Sequence, residues 1–262
     1  MSASTTATAT RPSLANPARF VALADTVLPW GWALSAILFA AGLWMVAGAP
    51  ADYQQGYTAW IMYVHVPAAW LAMAAYAVMS LASLGVLVWR HPLADASAEA
   101  AAPIGAAFTA VALFTGAVWG KPMWGTWWVW DARLTSVLVL FLIYCGLIGL
   151  RAAMEDPARA ARPVAVLTLV GAVNLPIIKF SVDWWSTLHQ PASVMRLDGP
   201  AIHPSILWPL IVMALAHTVL FAALHLAATR NVVLARRLRG LHRRRAAQRT
   251  VRAVLSATEE VT

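Results

Sequence analysis

Residues 124–150 read WGTWWVWDARLTSVLVLFLIYCGLIGL, and the break inside this stretch decides the fold. From Leu134 to Leu150 no charged residue occurs. That run comes close to the ~20 mainly apolar residues that carry a helix across a bilayer. Ahead of it, WGKPMWGTWWVWD (Trp119 to Asp131) packs five tryptophans into thirteen residues, closes on an aspartate and is followed at once by Arg133. Tryptophan this dense outside a long apolar run asks for a large flat ligand or a membrane surface.

Working outward, five more runs resemble 134–150, at about 28–48, 60–89, 103–120, 163–182 and 204–228. They are too long and continuous for barrel strands, which alternate over about ten residues. Composition agrees: 61% of the 262 residues are hydrophobic and 11% are charged, with mean hydropathy +0.67. A soluble domain is about half apolar and a quarter charged. The expected fold is an all-α integral membrane protein of six transmembrane helices with an external Trp-rich interfacial segment. Its parts are an N-terminal tail (1–27), a six-helix membrane domain (28–228) and a basic tail (229–262). No internal repeat stands out. The single cysteine, Cys145, permits no disulfide within the chain, no Cys-x-x-Cys-His exists to attach a c-type haem, and core packing is expected for Cys145.

Positive charge sets the orientation. Arg11, Arg19, Arg90, Arg151, Arg159, Arg162 and the nine arginines from Arg230 to Arg252 fall on one side of the six spans. Residues 49–59, 119–133 and 183–203 carry only Lys121, Arg133 and Arg196. Lys and Arg mark the cytoplasmic side. Both termini are therefore expected inside, with the Trp segment outside. The +8 net charge suits an anionic lipid surface after a membrane span, not nucleic acid. The Ala/Ser/Thr-rich N-terminus lacks a secretory signal pattern and reads as a disordered cytoplasmic tail; an organellar transit peptide is the minor alternative.

Within the Trp segment, a short helix over 122–132 started by Pro122 would place Trp124, Trp127, Trp128 and Asp131 on one face, with Trp130 pointing away. Gly120 and Gly125 would let a flat ligand approach the backbone. An aromatic belt at the membrane interface is the bland alternative. Two histidines share this outer side: His65, in YVHVPAAW, and His189, in WWSTLHQPASV. Each precedes a proline by two residues, Pro67 and Pro191, and such a break can turn the ring toward a cavity. Two neutral imidazoles on separate segments, beside an aromatic shelf, suit axial ligation of haem iron. His203 is a weaker candidate. His217 and His225, inside the sixth run, read first as helix-packing or partner-facing residues. Lys121, Arg133 and Arg196 are the outer cations available to carboxylates of a ligand, although Arg133 could pair with Asp131 or snorkel instead. Trp184 and Trp185 could form a second aromatic wall, and Asn174, Pro176 and Lys179 mark a possible break in the fifth span.

On these residues the chain resembles the Trp-Trp-Asp haem-handling membrane proteins. Trp119, Gly120, Trp124, Gly125, Trp127, Trp130, Asp131 and Arg133 to Ser136 all fit their signature. Size, six spans and one histidine on either side of the signature look like the cytochrome c maturation protein C family, over about residues 20–228. The resemblance implies a non-enzymatic role: holding haem b on the periplasmic face of a bacterial inner membrane for c-type cytochrome assembly. It implies His65 and His189 as axial ligands and Trp119, Trp124, Trp128 and Asp131 as the haem platform. Trp127 and Arg133 are further candidates for contact with haem. Implied partners are a membrane-anchored periplasmic haem chaperone, a small single-span subunit and an ABC transporter made of an ATPase and a membrane subunit. No nucleotide-binding Gly-rich loop occurs here, so ATP chemistry would be a partner's. Two rivals remain at this point. A b-type electron carrier would need histidine pairs at mid-membrane depth. A plain permease or scaffold would tolerate Phe in place of the tryptophans.

Overall fold

The computed structural model describes residues 16–190, 193–194 and 196–259. Residues 1–15, with Arg11, Pro191 and residues 260–262 lie outside the described residues. The elements are α1 (Pro17–Ala47), α2 (Met62–Trp89, after a 3₁₀ turn over Tyr57–Ile61), α3 (Pro92–Trp124), α4 (Ala132–Ala153), α5 (Pro157–Gly171), α6 (Asn174–Trp184) and α7 (Pro204–Glu259). Among the described residues there is no strand, only an isolated bridge between Asp52 and Gly56. Six stretches are long and apolar enough to cross a membrane, with α5 and α6 together forming the fifth, over Arg159–Trp184. The six-span all-α architecture expected from the apolar runs is thus the one observed.

The helices overrun those runs, because hydropathy locates a bilayer and caps locate helix ends. α1 begins at Pro17: the Asn16 side chain accepts from Ala18 N at 2.8 Å, and proline is preorganised for a first turn. Residues 17–27 are therefore helical, contrary to the expected unstructured tail. α3 starts at Pro92, eleven positions ahead of its apolar run, and α7 continues through the basic stretch to Glu259. The fifth span does break, at Ala172 and Val173. Pro176 offers no N–H to the Ala172 carbonyl, which accepts from Leu175 N at 3.0 Å, and the Asn174 side-chain amide donates to the Ser136 carbonyl of α4 at 2.8 Å.

The α2–α3 and α1–α7 pairs pack most extensively, and α7 also leans on α2 and α3. Ala68, Ala72 and Ala75 of α2 meet Ala98, Ala101 and Ala112 of α3 in the core. Small residues let helices approach closely, and dispersion packing is what lipid leaves available to drive association. Buried hydroxyls find carbonyls: Tyr144 donates to Ala72 O at 2.8 Å and Tyr76 to Thr168 O at 2.9 Å. Cys145 is exposed, contrary to the core role expected for it: it lies on the outer face of α4, which its apolar sequence could not distinguish from the inner one.

At the Arg-rich end, Asp95 and Glu99 of α3 sit between Arg151 of α4 and Arg236 of α7. Arg230 of α7 pairs with Asp25 of α1. The basic segment is thus partly consumed in tying α7 to the bundle. His217 contacts Phe39 of α1, and its Nδ1 lies 2.7 Å from Met213 O. His225 stacks on Phe221 and reaches Ser97 of α3 at 3.0 Å. Both act in helix packing, and no histidine pair at mid-span supports an electron carrier among the described residues.

Candidate functional site

The ends of α2, α3 and α4 and the loop after α6 meet at the Trp-rich end of the bundle. His65 lies in the opening turns of α2. Pro67 removes one rung of the ladder, yet α2 runs through it, so the proline does not break the helix there as expected. The α3 surface orients His65 instead. His65 Nδ1 is 3.0 Å from Thr115 Oγ1, and a Cβ on Gly116 would stand 3.0 Å from His65 Cε1. A methyl there would crowd the ring, which would have to give by a few tenths of an ångström. One turn on, Trp119 meets the imidazole edge-on at 5.7 Å between centroids, and its Nε1 donates to Gln55 Oε1 at 3.0 Å.

The expected helix over 122–132 does not form. α3 continues to Trp124 and is closed by Gly125 at φ 77°, a left-handed conformation that favours glycine. Gly125 N donates to Lys121 O at 3.0 Å, and Lys121 Nζ donates to Gly125 O at 3.0 Å. Asp131 then opens α4: its Oδ1 accepts from Leu134 N at 2.7 Å, a capping bond that a mid-helix aspartate could not make. The two glycines therefore act differently from the expectation. Gly125 turns the chain, and a Cβ on Gly120 would lie 3.0 Å from the Trp124 ring, so Gly120 seats that indole.

Trp124 and Asp131 nevertheless come together, at His189 and not on a shared helical stripe. The His189 ring meets Trp124 edge-on at 5.0 Å. Its Nδ1 lies 3.5 Å from Asp131 Oδ2, longer than a formed hydrogen bond, and has no other partner. Asp131 Oδ2 also accepts from Leu188 N at 3.3 Å, which ties the loop to the start of α4. Burial holds the His189 imidazole below the ordinary histidine range; Asp131 opposes this and the Arg133 charge adds to it. The ring is neutral at neutral pH, the form that binds metal.

The remaining expected residues divide. Trp128 is half-buried, with an enclosed Nε1 that has no partner, and Trp130 packs edge-on against it at 5.4 Å. Trp127 and Trp130 are 57% and 75% exposed and present indole to the surroundings. Arg133 does not bond Asp131. It donates to Ser181 Oγ at 3.1 Å and to the Ile178 and Lys179 carbonyls at 3.4 Å, clamping α4 to α6. Trp184 and Trp185 contact each other, and Trp184 stacks on Phe180. Arg196 is paired with Asp198, and His203 bonds Ser205 at the start of α7. Thr115, Gly116 and Gln55 escaped the sequence reading. Thr115 stands four residues before Trp119, on the same face of α3, and that spacing is the signal that could have found it.

Known proteins resemble this chain over most of its length. The Heme exporter protein C family matches residues 11–244. Heme exporter protein C of Bradyrhizobium diazoefficiens is 67% identical over 228 residues, 87% of each chain. The Escherichia coli K12 protein of that name is 46% identical, covering 84% of this chain and 89% of its own. That of Paracoccus denitrificans is 42% identical, covering 87% and 95%. The chain belongs to the Heme exporter protein C family.

Proposed function

We propose that this protein holds haem at the Trp-rich end of its bundle, on the outer face of a bacterial inner membrane, and delivers it for c-type cytochrome assembly. One observation carries the reading: His65 and His189, far apart in sequence, converge on the two tryptophans that end α3. Haem b is cargo, so the protein needs to bind, orient and release it, not to catalyse a reaction. His65 and His189 would ligate the iron. Trp119, Trp124, Trp127 and Trp128 offer flat apolar surface to the porphyrin, and the unpartnered Trp128 Nε1 is a donor for a polar edge. Asp131 backs His189 and Arg133 holds α6, which leads into the His189 loop. The Lys and Arg distribution supports both termini in the cytoplasm and a periplasmic site.

Exposed Trp127 and Trp130 suit contact with a partner. The partners we propose are a membrane-anchored periplasmic haem chaperone, a small single-span subunit, and an ABC transporter ATPase with its membrane subunit. The test is the visible spectrum of the detergent-purified protein, wild type beside His65→Ala and His189→Ala. A haem band in wild type that is altered or lost in both variants is the expected result. A wild type that takes up no supplied haem, or a spectrum indifferent to both substitutions, would overturn the reading.

A further inference from the structure

We propose that the two histidines are unequal ligands: His65, backed by the neutral Thr115 hydroxyl, is the releasable one, and His189, backed by the Asp131 carboxylate, is the firm one. This rests on the reading that both bind haem iron, and it adds Thr115 as a positioning residue.

Thr115 Oγ1 is 2.7 Å from Val111 O, and a carbonyl can only accept, so the one hydroxyl proton of Thr115 goes there. What Thr115 offers His65 at 3.0 Å is therefore a lone pair. The Ala112 carbonyl, another pure acceptor, lies beside the same ring. Nδ1 of His65 must carry the hydrogen, which leaves the lone pair on Nε2 for a metal. At His189 the group facing Nδ1 is a carboxylate, also acceptor-only when ionised. At 3.5 Å, short of a formed hydrogen bond, its charge favours hydrogen on Nδ1, which leaves Nε2 free at His189 as well.

The two acceptors differ in strength. Asp131 carries a full charge, and its side chain is only 7% exposed, so water screens it little. A carboxylate this close to Nδ1 acts on the His189 ring by charge and raises the basicity of the opposite nitrogen; where the contact shortens to a hydrogen bond, it is about twice as strong as one to a neutral acceptor. Thr115 is neutral, and it spends its own proton on the backbone. A haem holder has to let go, and this asymmetry defines where. Release breaks the iron–Nε2 bond at His65, the electron pair returns to that nitrogen, and a nitrogen or oxygen donor of the acceptor protein fills the vacated position. Neither a proton nor an electron is consumed. His189 holds the haem until that exchange is made.

The test uses the full chain in detergent, loaded with haem b. Two properties are read: the rate of haem loss to excess apomyoglobin, and the midpoint potential. His65→Ala is expected to retain haem, and added imidazole should restore the six-coordinate spectrum. His189→Ala should lose haem about 10-fold faster than His65→Ala, the lower end of what changes around a metal ligand cost. Asp131→Asn keeps a good helix cap but removes the charge. It should shift the potential upward and speed haem loss. Thr115→Val should also speed loss, and Thr115→Ser should restore it. Faster loss from His65→Ala than from His189→Ala, or a potential unmoved in Asp131→Asn, would overturn the inference while leaving both histidines as ligands. A spectrum unmoved by either histidine substitution would instead sink the haem-ligand reading beneath it.

Discussion

Asp95→Asn is the most informative perturbation of the fold. Asp95 lies between two guanidinium groups, Arg151 at 2.5 Å and Arg236 at 2.6 Å, with Glu99 one turn along the same face of α3. Two positive and two negative charges balance. At an effective dielectric of about 20, an attractive contact at a charge separation of about 4 Å is worth about 4 kcal/mol. Repulsion from Glu99 at about 7 Å takes back about 2 kcal/mol. Taking the carboxylate charge out of the protein recovers several kcal/mol of desolvation. Arg236 and Glu99 keep 24% and 27% of their side chains accessible, so solvent relieves part of the imbalance. A net loss of about 3 kcal/mol follows, at the low end for breaking a buried pair. SDS-induced unfolding of the detergent-solubilised protein measures it. Asp95→Asn and Arg151→Gln should each cost about this much. The double variant, neutral again, should cost less than the two together by about 1–3 kcal/mol, the coupling expected of contacting residues. Single variants within ~0.5 kcal/mol of wild type, the range of ordinary surface changes, or strictly additive doubles, would refute a cooperative four-charge clasp joining α3, α4 and α7.

Three further outcomes are expected. Asp131→Ala should destabilise α4 by about 1 kcal/mol through loss of its cap while Asp131→Asn does not, as read by the same unfolding assay. Gly116→Ala should push the His65 ring off α3, since the new Cβ stands 3.0 Å from Cε1; haem absorbance should fall at unchanged elution volume, and an unaltered spectrum would show that the ring has room to spare. Tyr144→Phe leaves the buried Ala72 carbonyl without its 2.8 Å partner and should cost about 1 kcal/mol, a loss that unfolding midpoints would report.

The sequence alone determined the number of spans, their approximate places and the end of the bundle that carries the Trp segment. These are local properties: an apolar run satisfies its own backbone in a bilayer wherever its neighbours lie. It also singled out His65, His189 and the tryptophans by residue type and by resemblance. Only the tertiary structure decided how they meet. Periodicity favoured a helix through 122–132, but it could not weigh the left-handed Gly125 or the capping bond from Asp131 to Leu134, which stop one helix and start the next. Arg133 looked like a partner for a ligand carboxylate until α6 supplied Ser181 and two carbonyls for it. Thr115 carried no recognisable motif, because its meaning comes from His65 on another helix. Asp131 faces His189 only because α4 begins where the loop after α6 returns. Which side chains share a span is written along the chain; which protons face each other across the site depends on how closely small residues let α2 and α3 approach.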